Sequence, residues 1–154
     1  MSKLSVLKKF NPEQHFFTDP FPHVVIRNCL DDDIYQRLYE NFPVKLIKDN
    51  FNIIQEHTYR CLANDVLVEK KIPVHPIWQE FFEYHTSQDY FKTVIKLFEK
   101  YMPNYQWLEQ QTARIRNTQG DTKVVTDTQF VVHQPYHTTT RTTHIDNPIE
   151  FYAG

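Results

Sequence analysis

Glycine is almost missing from this chain: its 154 residues include two, Gly120 and Gly154. A phosphate-cradling loop needs several glycines so that backbone N–H groups can approach the anion, which argues against nucleotide enzymes of the P-loop or dinucleotide-fold kind. Cysteine is equally scarce. Cys29 and Cys61 do not form a C-x-x-C pair, so a thiolate zinc site and thioredoxin-type redox chemistry have no support. The two thiols are expected to be reduced and packed rather than bridged. Long apolar runs are lacking too. The longest aliphatic stretch near the N-terminus is Val24-Val25-Ile26, against the roughly 20 apolar residues that cross a bilayer, so no membrane segment is read. Met1–Phe10 carries Lys3, Lys8 and Lys9 without an apolar core followed by small residues; it does not read as a secretory signal, and the cytoplasm is the expected location. Neither sign of charge dominates. Seventeen Lys and Arg against nineteen Asp and Glu give a net charge of −2, which removes the general attraction to phosphate backbones and argues against a nucleic-acid partner.

Aromatic residues are abundant. Twelve Phe, nine Tyr and two Trp, within a hydrophobic share of 40%, are enough for the core of one domain spanning residues 1–154. From Asp19 to Pro43 the pattern predicts a short strand over Val24–Ile26 and then a helix. Asp31–Asp33 supply acids at its N-terminus, and Ile34, Tyr35, Leu38, Tyr39 and Phe42 recur at helical spacing as one apolar stripe before Pro43 stops it. Between Lys45 and Ile72 periodicity decides little. Pro76–Glu83 predicts a short helix, and Ser87 or Asp89 caps a longer one reaching Tyr101, closed by Pro103. Its Tyr90, Phe91, Val94, Ile95, Leu97 and Phe98 are more apolar than one exposed face requires, so this helix is expected to lie covered against a sheet. After Trp107 the character becomes strand-like. Ala113, Ile115, Val124, Val125, Phe130, Val131 and Val132 occur in Thr-rich company, with Gly120-Asp121 as a turn.

The chemistry concentrates near the C-terminal end, where His133, His137 and His144 fall close together. Within Thr128–Pro148, His144-Ile145-Asp146 is an H-x-D motif. On extended backbone, residues two apart face the same side, so an imidazole and a carboxylate are aimed at a common centre. That pair suits Fe(II), and a further histidine would complete a facial triad with positions left open. Spacing alone is weak: eight histidines in a chain of this composition give roughly 0.5 chance H-x-D occurrences. His15, His23, His57, His75 and His85 are read as packed or surface residues.

Context strengthens the motif. It follows a β-type run and precedes Asn147-Pro148, after which Ile149, Phe151 and Ala153 resume alternation. This stretch resembles the Fe(II)- and 2-oxoglutarate-dependent oxygenases of the prolyl-hydroxylase-like branch. Phe21-Pro22-His23-Val24-Val25-Ile26 and the acid-capped helix ending at Phe42-Pro43 look like that family's opening. The resemblance implies an α+β fold with N-terminal helices (about 1–110) packed on a double-stranded β-helix, or jelly roll, that begins at about 111–154. It implies that His144 and Asp146 ligate Fe(II), that 2-oxoglutarate chelates the metal, and that O2 converts it to succinate and CO2 while a substrate C–H bond is hydroxylated. Gln129, Tyr136 and Arg141 are the candidates to line the cosubstrate pocket.

One departure is informative. The family places a third ligand, a histidine, and a cation for the distal carboxylate of 2-oxoglutarate well downstream of His-x-Asp. Here eight residues follow Asp146, none of them a histidine or a cation. At about 5–6 residues per strand they make one strand, whereas a closed jelly roll has eight. The expectation is therefore an incomplete jelly roll, the N-terminal part of an oxygenase in truncated or inactive form. Two alternatives stand beside it: His133, His137 or a second subunit supplies the missing ligand, or the histidines are structural and the chain is a non-catalytic interaction module. An unfinished sheet also leaves a strand edge open to a homodimer or another partner.

Overall fold

The computed structural model describes residues 2–54, 58–115 and 124–134. Short helices and three two-stranded sheets make up the described part, an α+β arrangement. Helix α1 (Pro12–His15) runs into strand β1 (Phe16–Phe17), which pairs antiparallel with β2 (His23–Val24). Helices α2 (Asp32–Glu40) and α3 (Val44–Asn50) follow, then β3 (Thr58–Leu62) and a π-helical turn, Asp65–Glu69. Helix α4 (Pro76–His85), α5 (Gln88–Leu97), a 3-10 turn (Glu99–Tyr101) and α6 (Tyr105–Gln110) lead to β4 (Ala113–Ile115), β5 (Val124–Thr126) and β6 (Gln129–His133). No helix among the described residues is long and apolar enough to cross a membrane.

Helix boundaries follow local chemistry. Pro76 occupies the first turn of α4, where its missing N–H costs nothing, and the His75 Nδ1 accepts the Ile77 N–H at 3.2 Å. Ser87 caps α5 by accepting the Tyr90 N–H at 3.2 Å, as its position in the sequence predicts. At α2 the outcome differs. Asp31 stands at the cap position but makes no capping bond; its carboxylate takes Lys8 and Lys9 instead, while Asp32 and Asp33 sit in the first turn near the positive end of the helix dipole. The predicted α2 stripe also narrows: Ile34 and Leu38 are buried, but Tyr35 and Tyr39 are exposed and stack on each other. With glycine so rare, left-handed backbone falls to Asn28 (φ 50°) and Lys71 (φ 48°).

Three apolar clusters hold these elements together. In the first, Ile47, Cys61, Val66, Phe82, Phe130 and Val132 join α3, β3, the π-helical turn, α4 and β6. The second packs Phe91 and Ile95 of α5 against Tyr105 and Leu108 of α6 and against Ala113 and Val124 of the β4–β5 pair, so α5 is covered by both a helix and a small sheet. The third seats Leu4 and Leu30 on Ile34, Leu38 and Ile77. The Trp78 indole N–H donates to the Leu38 carbonyl at 3.0 Å and ties α4 to α2.

Sheet topology departs from the sequence expectation in two ways. Strand β3 lies inside the region expected to be helical support and pairs antiparallel with β6 from the other end of the chain, Thr58 opposite His133 and Leu62 opposite Gln129. Periodicity missed β3 because Thr58–Leu62 mixes polar and apolar residues and its partner is remote in sequence. Strands β4 and β5 pair parallel, Ala113 with Val124 and Ile115 with Thr126. A tight turn joins antiparallel neighbours, so this pair is not a hairpin closed at Gly120-Asp121. That dipeptide and the expected strand after Pro148 lie outside the described residues.

Candidate functional site

Strand β6 precedes in sequence the segment that carries the predicted metal ligands. Its residues alternate as the pleat requires: Phe130 and Val132 are buried, whereas Gln129 and His133 are exposed and Val131 is half-buried. The partner strand follows this division in part: Cys61 stands opposite Phe130 on the core side and exposed Arg60 opposite Val131 on the other, where Thr58, opposite His133, is buried and Leu62 half-buried. Helices α3 and α4 pack on the Phe130 side. The opposite side thus presents three exposed polar residues, Arg60, Gln129 and His133. Diagonal neighbours on an antiparallel pair stand about 7–8 Å apart, so Arg60 is within a long side chain's reach of both Gln129 and His133. Beyond the strand, the Gln134 amide donates to the Tyr59 hydroxyl at 3.1 Å, fixing the end of the ladder.

Of the residues predicted from the motif, Gln129 is thus placed at the start of β6 on the solvent side. Tyr136, Arg141, His144 and Asp146 lie outside the described residues, as does His137. His133, an alternative ligand, is on the same sheet face as Gln129. Among the described residues no three His, Cys, Asp or Glu side chains come together as a metal-binding group. The histidines read as structural find local partners where they are described. His15 Nδ1 accepts the Asn11 N–H at 2.9 Å, His75 caps α4, His23 stacks with Phe17, and His85 is buried in α4.

Other buried polar groups surround the base of the β3–β6 sheet. Burial first, and the nearby Asp65 carboxylate second, push the Cys61 thiol up to about 12, against a smaller opposing effect of Lys70. It stays a neutral thiol at ordinary pH and is no nucleophile. Asp65 accepts the Leu62 N–H at 3.1 Å and pairs with Lys70 at 3.0 Å, which pins the π-helical turn to the end of β3. The neighbouring Asn64 side-chain oxygen, Oδ1, is buried without a hydrogen-bond partner among the described residues. Cys29 is free and half-buried.

A second feature, with no local signal in the sequence, is an apolar cleft of about 610 Å³. Val6 and Leu7 form one wall, Phe21 to Val24 another, and Tyr90, Val94 and Phe98 a third. Among the described residues no Asp, Glu, Lys or Arg lines it. Its walls come from three parts of the chain far apart in sequence, which is why local patterning does not reveal it. Exposed Phe21 and Tyr101 are among the residues that line it, with Phe16 stacked on Tyr101.

Compared with protein-family models, with curated proteins and with solved structures, the chain matches none.

Proposed function

We propose that the chain is an Fe(II)- and 2-oxoglutarate-dependent, hydroxylase-like oxygenase domain. Its site, on this reading, is on the side of the β3–β6 sheet turned away from the helices. The observation that supports it is the pleat of β6, the strand that precedes the His144-x-Asp146 motif in sequence: Phe130 and Val132 lie on the helical layer, and Gln129 and His133 are exposed on the other face. A jelly roll backed by helices on one face requires that division, and the jelly-roll assignment belongs to this proposal. Imidazole and carboxylate are donors suited to Fe(II).

In this proposal His144 and Asp146 hold the metal. Bound iron with 2-oxoglutarate and O2 supplies the oxidising power for attack on a C–H bond. The chain's own side chains bind and orient the cosubstrate: the Arg141 guanidinium pairs with a carboxylate, and the Gln129 amide and Tyr136 hydroxyl hydrogen-bond its oxygens. The cytoplasm, where thiols such as Cys29 and Cys61 stay reduced, is the proposed setting. The test is Fe(II) and 2-oxoglutarate binding by the unaltered chain beside His144→Ala and Asp146→Ala. Either substitution is expected to weaken iron binding by more than about tenfold. Iron bound equally well by all three proteins would refute the assignment.

The second reading, a non-catalytic interaction module on a partial jelly roll, is favoured by the exposed aromatic border of the cleft. It predicts no specific iron binding together with concentration-dependent self-association or partner binding in sedimentation.

A further inference from the structure

We propose that His85 is an acid-sensitive latch that holds the N-terminal segment 2–10 against α4 and α5, and that protonating its ring frees this segment and widens the apolar cleft. The inference is independent of the iron reading.

Geometry fixes the protonation state of the latch. His85 Nδ1 lies 2.8 Å from the Phe81 carbonyl oxygen, which can only accept, so Nδ1 carries the hydrogen. Nε2 then bears a lone pair and accepts the Val6 N–H at 3.4 Å. A second proton would have to sit on Nε2, where it would face the Val6 amide hydrogen, donor against donor. The imidazolium would also be poorly solvated, because the ring is buried among Phe81, Tyr90 and Tyr84 at centroid distances of 4.0, 4.6 and 5.1 Å.

The surroundings offer an imidazolium little help. The titratable groups facing the ring are the phenols of Tyr84, from α4 itself, and Tyr90, from α5. The N-terminal segment contributes an amide; its Lys8 turns to Asp31, and its Lys9 to Asp31 and the carbonyls of Asn28 and Leu30. Among the described residues no carboxylate is set against the ring. Burial lowers its proton affinity, and the Phe81 carbonyl offsets this only in part. The unfolded chain therefore takes up the proton first as pH falls. The latch's contribution is complete above about pH 6.5 and is lost as pH drops through the lower folded value. Val6 and Leu7 form the cleft wall facing Tyr90 and Val94 of α5, so release of the segment opens that space.

Hydrogen exchange of segment 2–10, corrected for the chemical rate and compared at about pH 7.5 and about pH 5, tests the latch. Protection of the Val6 amide is expected to fall about tenfold at the lower pH, the equivalent of one buried hydrogen bond, while amides inside α4 and α5 keep theirs. In His85→Gln, whose amide can donate to Phe81 and accept from Val6 without titrating, protection should be the same at both pH values. Unchanged wild-type protection, an equal loss across α4 and α5, or the same acid response in His85→Gln would each overturn the proposal. Should the glutamine variant not fold, nitrogen chemical shifts of His85 in the unaltered chain decide: a neutral Nδ1–H tautomer supports the latch, and an Nε2–H tautomer or an imidazolium at neutral pH overturns it.

Discussion

Truncating Phe130 to alanine would show whether β6 is anchored as described. Phe130 is 2% exposed and its ring lies 4.5 Å from Phe82, 4.8 Å from Trp78 and 5.3 Å from Phe42, so it connects the sheet to α4 and to the end of α2. Phe→Ala in a packed core costs about 3–5 kcal/mol, and aromatic pairs add about 0.5–1.5 kcal/mol each beyond the area they bury. Neighbours of this size cannot collapse into the space left, so the upper part of that range is expected. Val131, next in the strand but on the opposite face and only half-buried, is the control: Val131→Ala should cost below about 1.5 kcal/mol. Urea unfolding followed by tryptophan fluorescence reads both, because Trp78 lies against Phe130. A shifted midpoint with an unchanged slope would mark a loss of stability rather than a change in compactness. Equal costs for the two substitutions would mean that the strand does not face as described, and the placement of Gln129 and His133 would go with it.

Four further outcomes are expected. Cys61 should resist alkylation in the native protein and react only on unfolding, while half-buried Cys29 reacts first. Because the folded-state value of Cys61 is raised to about 12 from 9.0, stability should fall as pH rises through that interval, which a denaturation series in alkaline buffers will show or contradict. Ser87→Ala, which removes the acceptor for the Tyr90 amide, should cost about 1 kcal/mol in thermal unfolding; no change would mean the cap is dispensable. Lys71→Gly should stabilise by up to about 1 kcal/mol, since a φ of 48° suits glycine, and a lower melting temperature would count against that backbone assignment.

The helices were the legible part of the sequence, because their signals are local. Ser87 and Pro76 mark the starts of α5 and α4, and Phe91, Val94 and Ile95 reach the core at the spacing that predicts it. Tyr35 and Tyr39 misled because a tyrosine at an apolar position of a stripe can equally lie on the surface and stack with its neighbour one turn on. Strand β3 was illegible for a different reason: an Arg and a Cys at successive positions make sense only once Val131 and Phe130 stand opposite them. The proposed ligands His144 and Asp146 rest on composition and spacing and lie outside the described residues, whereas the face that carries Arg60, Gln129 and His133 depended on that same remote pairing. The cleft was illegible throughout, being the space left between segments that share no local pattern.

The antiparallel register of Thr58 with His133 has a consequence for how the molecule is made. Until the ribosome has delivered Phe130 and Val132, the surfaces of Ile47, Cys61 and Phe82 have no lid, and the entropy of closing so long a loop must be met before any of its rungs form. The segments made before β6 therefore wait with apolar surface uncovered, and chaperone demand should subside when β6 arrives.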